Sequence, residues 1–115
     1  MGERKVAKLS SAKTPEYQVV LEFYGDDPDN FERIIALESK LEEELECGEV
    51  DGNDVGQGVV NIFIITEEPK RCFEEAMGLI AGSEQKPRAA GYRDLDGEDY
   101  VRLWPEGDAT PFELK

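Results

Sequence analysis

The chain reads as an α+β sandwich, an antiparallel sheet covered on one face by two helices. Three observations predict it. The first is Val59-Val60-Asn61-Ile62-Phe63-Ile64-Ile65, the longest nearly unbroken apolar run in a chain of which 35% is charged. A β-branched run of that length, set between Gly56-Gln57-Gly58 and Thr66-Glu67-Glu68-Pro69, is the signature of a strand buried on both faces. The second is a repeated junction. Tyr24-Gly25-Asp26-Asp27-Pro28 matches Ile65-Thr66-Glu67-Glu68-Pro69: a strand end, two acidic or polar residues, proline, then a helical pattern. The third is the glycine-rich stretch before the apolar run, which makes that strand the second arm of a hairpin.

Taken in order, residues 1–14 are basic and polar and read as a flexible tail; residues 15–115 form a single domain. From Glu16 to Tyr24 the pattern alternates. Tyr17, Val19, Leu21 and Phe23 share one face, and Gln18, Val20, Glu22 and Tyr24 the other, as a half-buried strand requires. Asp27 is a good N-cap, Pro28 fits the first helical position because its missing N–H has no partner there, and Asp29 complements the helix dipole. Phe31, Ile34, Ile35, Leu41 and Leu45 recur at helical spacing with Leu37 at the stripe's edge. Glu38 falls inside the stripe and is expected to snorkel to water. The helix ends near Glu46-Cys47-Gly48. A short strand follows over residues 48–51, then a loop over 52–58, then the apolar strand, with Val60, Ile62 and Ile64 facing the helices. Cys72, Phe73, Ala76, Met77 and Ile80 form the stripe of a second helix that starts at Pro69 and stops at Gly82-Ser83. Residues 87–93 and 100–104 read as two more strands around the Asp96-Gly97 turn signal, the last stopped by Pro105. Phe112 and Leu114 are placed to dock back.

Two strand–helix units joined by a hairpin strand are what a split βαβ domain requires, so the expected fold is a ferredoxin-like βαββαβ sandwich with an extra C-terminal strand. Its second sheet face would carry Val20, Tyr24, Phe63, Ile65, Tyr100 and Trp104. That is more apolar than a solvated face should be, so something is expected to cover it: the chain's own tail, a second copy, or a ligand.

Composition narrows the function. At 115 residues the chain is one domain by size, long enough to bury roughly two-thirds of its unfolded surface. Its 27 acidic and 13 basic residues give a formal charge of −14. Because Arg4, Lys5, Lys8 and Lys13 oppose only Glu3 in the tail, the rest of the chain carries −17. Such a body repels nucleic acid and anionic membranes and attracts basic partners. There is no histidine, which removes the commonest general base and metal ligand. Asp51, Asn53 and Gly56 match three positions of a calcium loop, but Val55 and Ile62 stand where ligands are required. Cys47 and Cys72 lie in no metal or redox spacing, and Cys72 reads as a core residue. With no apolar run long enough to span a membrane and no secretory pattern, the expected location is cytoplasmic.

The leading expectation is a non-catalytic, strongly acidic protein-binding module of the inhibitor, immunity or assembly kind, whose partner is a basic protein or a second copy. Its candidate contact residues are Glu42, Glu43, Glu44 and Glu46 at the end of the first helix, and Val20, Tyr24, Asn61, Phe63 and Trp104 on the second sheet face. No catalytic, cofactor or metal residues are assigned. One alternative is a small-molecule regulatory domain. The Asp27-Pro28 turn resembles that of amino-acid-sensing ferredoxin-like domains, with Asp29 where those have glycine. Another is a cofactor-free enzyme of a dimeric barrel, using Tyr24, Asn61, Tyr92, Arg93, Tyr100 and Arg102.

Overall fold

The computed structural model describes residues 16–25, 27–83, 85–105 and 112. The basic stretch over 1–14 and Leu114 lie outside them. The elements are β1 (Tyr17–Tyr24), α1 (Pro28–Glu44), β2 (Glu49–Gly56), β3 (Val59–Thr66), α2 (Pro69–Ile80), β4 (Ala89–Asp94) and β5 (Val101–Trp104). The five strands form one sheet in the order β2-β3-β1-β4-β5, and every neighbouring pair is antiparallel. The architecture is therefore α+β, with β5 added at the β4 edge.

β3 and β1 occupy the middle because they are the two strands whose residues are apolar or buried on both faces. Their register pairs Val19 with Ile64, Leu21 with Ile62 and Phe23 with Val60. These six side chains meet Ile34, Leu37 and Leu41 of α1 and Cys72, Ala76 and Ile80 of α2 in a single core. Val60, Ile62 and Ile64 are fully buried there, as the sequence predicts. Each such side chain contributes about 1.5–3 kcal/mol of transfer free energy, which makes this row the main anchor of both helices.

Both helices begin where proline places them. The Asp27 carboxylate accepts from the Asp29 N–H at 2.8 Å, the expected cap. Glu68 makes no side-chain cap at α2. Instead the Thr66 hydroxyl accepts from the Glu68 N–H at 3.0 Å and donates to the Cys47 carbonyl at 2.6 Å, tying the start of α2 to the turn after α1.

Three expectations are corrected. The stretch over 52–58 is strand rather than loop: β2 runs on to Gly56, and only Gln57 and Gly58 turn the chain. Both have positive φ, 53° and 77°, the pairing of a two-residue turn whose twist matches the flanking strands. Gly52, at φ 128°, absorbs a register shift between Val50 and Gly52 that keeps β2 against β3. Glu38 is buried to 8% exposure rather than extended into solvent, and one of its carboxylate oxygens accepts a 2.8 Å hydrogen bond from the Asn53 side-chain amide of β2. Finally, Trp104 packs on the helix-covered core, not the second face. A register shift between Ala90 and Gly91 sets Trp104 opposite Ala90, whose side chain belongs to that core.

Candidate functional site

The second sheet face divides into an apolar and a polar half. In the apolar half, Val20, Ala89 and Phe112 are buried together, with Phe63 and Tyr100 packed against them. Phe112 sits over Gly91, where a Cβ would come within 2.7 Å of its ring. The absence of a side chain at that position makes the seat. Tyr100 tilts against the Phe112 ring at 5.2 Å, and the Arg102 guanidinium lies 5.7 Å from it. Phe112 thus covers this half, so a residue of the chain's own tail, the first of the three expected occupants, lies there.

The polar half centres on Glu22. Strand alternation puts it between Val20 and Tyr24, and the register sets it opposite Asn61 on β3; both Glu22 and Asn61 are buried. Arg88 donates its backbone N–H to the Glu22 carbonyl at 2.7 Å, which extends the β1–β4 pairing by one residue. Its guanidinium then ion-pairs with the Glu22 carboxylate and lies 5.1 Å from the centre of the Tyr24 ring. The guanidinium pKa is held above its ordinary value, first by Tyr24 and then by Glu22, against the opposing effect of burial. Among the described residues nothing hydrogen-bonds Glu22 Oε2 or Arg88 Nε. Tyr24 itself is 58% exposed, so it is a lid over the pair rather than part of a pocket.

The residues considered for catalysis are not brought into a single group: Tyr100 and Arg102 both meet Phe112, while Tyr24 and Asn61 flank the Glu22–Arg88 pair. Tyr92 lies on the helix-covered face, edge-on to Tyr17 at 5.7 Å. Arg93 is committed to the β4–β5 turn, donating to the carbonyls of Asp94, Leu95 and Gly97 at 3.0–3.2 Å and to the Gln18 side chain. Arg102 donates to the Trp104 carbonyl at 3.0 Å. Among the described residues, no three acidic, cysteine or histidine side chains are grouped to hold a metal.

The acidic end of α1 is built differently. Glu42, Glu43 and Glu44 are all exposed, and no basic residue stands in the last helical turn. Exposed Glu46 follows immediately. Four carboxylates therefore crowd a helix end whose dipole is already negative, an arrangement that costs stability. The turn that follows, which carries Glu46, is held by Glu75 of α2. One of its oxygens accepts from the Glu46 N–H at 2.9 Å and the other from the Cys47 N–H at 3.0 Å. Hydrogen bonds from the Cys47 thiol and then from the Glu46 N–H hold the Glu75 carboxyl below its ordinary pKa.

The chain matches no family model, no curated protein and no solved structure. The geometry stands alone.

Of the predicted contact residues, the structure leaves Glu42, Glu43, Glu44 and Glu46 exposed at the end of α1 and puts Val20 and Asn61 in the interior, with Phe63 half-buried under the aromatic cover. Trp104 is elsewhere. Sequence reasoning missed Glu22, Arg88 and Glu75. Alternation had put Glu22 on the right face, but a lone carboxylate there reads as solvated, and its partner lies 66 residues away. Glu75 carried no signal, because its role depends on two helix ends meeting.

Proposed function

We propose that this chain is a non-catalytic, acidic protein-binding module that docks a basic partner on the end of α1. The observation that carries the reading is the run of exposed carboxylates at the end of α1, Glu42, Glu43, Glu44 and Glu46, the last on a turn clamped by Glu75. A run of like charges with no basic residue in the last helical turn favours a ligand that brings the opposite sign. The alternatives, a regulatory ligand domain or a dimeric barrel, both draw on an open second face. Phe112 on that face turns our reading toward α1. We take the architecture as a ferredoxin-like plait extended by β5; the helix-linked pair β1 and β2 with β3 between them supports this. We place the protein in the cytoplasm, an assignment supported by two free cysteines.

The test uses a lysine- and arginine-rich peptide titrated calorimetrically into wild type, into Glu42→Gln/Glu43→Gln/Glu44→Gln/Glu46→Gln, and into a charge-matched control. The control neutralises exposed Glu16, just before β1, and exposed Asp96, Glu98 and Asp99, between β4 and β5. The patch variant should bind at least about tenfold more weakly than the control, and wild-type affinity should fall steeply between about 50 and 300 mM salt. Equal losses in the two variants would reduce the patch to bulk charge and sink the proposal.

A further inference from the structure

The two cysteines, 25 residues apart in sequence, meet in space. Cys47 lies on the turn after α1 and Cys72 in the first turn of α2, and both are free thiols. Cys47 packs on the core cluster that contains Cys72. The backbone confirms the closeness. A Cβ on Gly48, the residue after Cys47, would lie 2.8 Å from Cys72 Sγ, so only glycine lets the turn run this near the sulfur. Two independent ties fix the approach. Thr66 donates to the Cys47 carbonyl at 2.6 Å, and Glu75, three residues beyond Cys72, accepts from the Cys47 N–H at 3.0 Å.

We propose that Cys47 and Cys72 form a reversible intramolecular disulfide, a redox-responsive staple joining the end of α1 to the start of α2. Cys47 is half-buried and Cys72 fully buried, so an oxidant meets Cys47 first. With a low-molecular-weight disulfide as oxidant, the Cys47 thiolate attacks one of its sulfurs and expels the other half as a thiol. The Cys72 thiolate then attacks Cys47 Sγ and expels the second half. Two protein S–H bonds and one small-molecule S–S bond are lost; one protein S–S bond and two small thiols are gained. The protein gives up two electrons and two protons, and the oxidant takes both electrons.

The surroundings keep this reaction slow at neutral pH. Burial, then the Glu75 carboxylate, then Cys72 push the Cys47 thiol well above its ordinary pKa. Burial also raises Cys72, against smaller opposing contributions from Cys47, Thr66 and Arg71. The thiolate fraction is therefore minute and should grow about tenfold per pH unit. The staple is expected to stay open in a reducing compartment and to close under sustained oxidation. It does not depend on the acidic-patch reading.

The experiment treats reduced full-length protein with oxidised glutathione at about pH 7, 8 and 9 and follows intact mass, peptide mapping and mobility on a non-reducing gel. The expected product is a monomer lighter by two hydrogens, whose digest links the peptides containing residues 47 and 72, with a raised Tm that dithiothreitol reverses. Its rate should climb roughly tenfold per pH unit. Glu75→Gln, which removes the charge facing Cys47 but keeps an acceptor, should speed closure roughly three- to tenfold, since nucleophilicity falls less than thiolate fraction rises. A stable glutathione adduct on Cys47 with Cys72 still free would overturn the proposal. So would a covalent dimer, or no mass change in folded protein at any pH.

Discussion

Glu22 is buried opposite Asn61 with one carboxylate oxygen paired to Arg88. Breaking a buried pair from one side leaves a charge without its partner, a loss of about 3–5 kcal/mol at a dry site. Here the Arg88 side chain is 29% exposed, so water screens part of that penalty. Arg88→Met should therefore destabilise by about 2 kcal/mol, and Glu22→Gln/Arg88→Met together by less than the two single changes added. Urea denaturation of the four-member cycle measures the coupling, and strict additivity would show the pair to be energetically idle. Glu75 carries a pH prediction. Its folded pKa lies below the ordinary value, so its contribution is complete above about pH 5 and vanishes as pH falls through the folded pKa. Glu75→Ala should cost about 1 kcal/mol at pH 7, discounted for the exposure of the carboxylate. The wild-type and variant stabilities should converge in acid. A gap that stays constant down to pH 3 would mean that Glu75 acts through packing instead of charge.

Among the secondary elements, the meeting of β4 with Phe112 is the clearest case of backbone shape deciding a contact. Gly91 leaves a seat, and the Phe112 ring fills it to 4% exposure. Phe112→Ala removes that aromatic cover and should cost about 3 kcal/mol. Gly91→Ala forces the ring or the facing Val101 carbonyl, 3.0 Å from the added Cβ, to move, for about 1–3 kcal/mol. If the ring is the main obstacle, Gly91→Ala should be nearly neutral in the Phe112→Ala background. Thermal or urea denaturation of that cycle decides it, and an unchanged penalty would assign the clash to the β5 backbone instead. The hairpin illustrates the same level of control. Its glycines were legible in the sequence, but a seven-residue loop and a two-residue turn with a bulged strand have the same composition. The pairing to β3 chose between them.

At the scale of the whole molecule, charge is the dominant fact. A net −14 on 115 residues repels itself in the folded state. Tm should rise by roughly 4 °C, about 1 kcal/mol, as sodium chloride goes from about 20 to 500 mM, because screening relieves that repulsion. The acidic-patch variant should start higher and respond less, since four of the least favourably placed carboxylates are gone. A Tm insensitive to salt would show that the acidic surface is already well separated and carries little strain. Among the described residues no helix is long and apolar enough to cross a membrane.

The alternation of β1, the apolar run of β3, the two acid–proline junctions and the helical stripes determined the element order, the helix-covered face and its core row. These are local signals: period, cap and turn chemistry act over a few residues and read the same in any surroundings. They also determined the charge and the absence of histidine, and with them the classes of partner and chemistry worth considering. Tertiary structure alone decided which oxygen found which donor. Trp104 went to the helix side because of a one-residue shift in a pairing whose register no single strand encodes. Glu22 met Arg88, Glu75 gripped the turn after α1, and Cys47 reached Cys72 because the two helix junctions converge beside β3. Contacts between residues 25 to 66 positions apart have no period to betray them; they exist only once the sheet has set the distances.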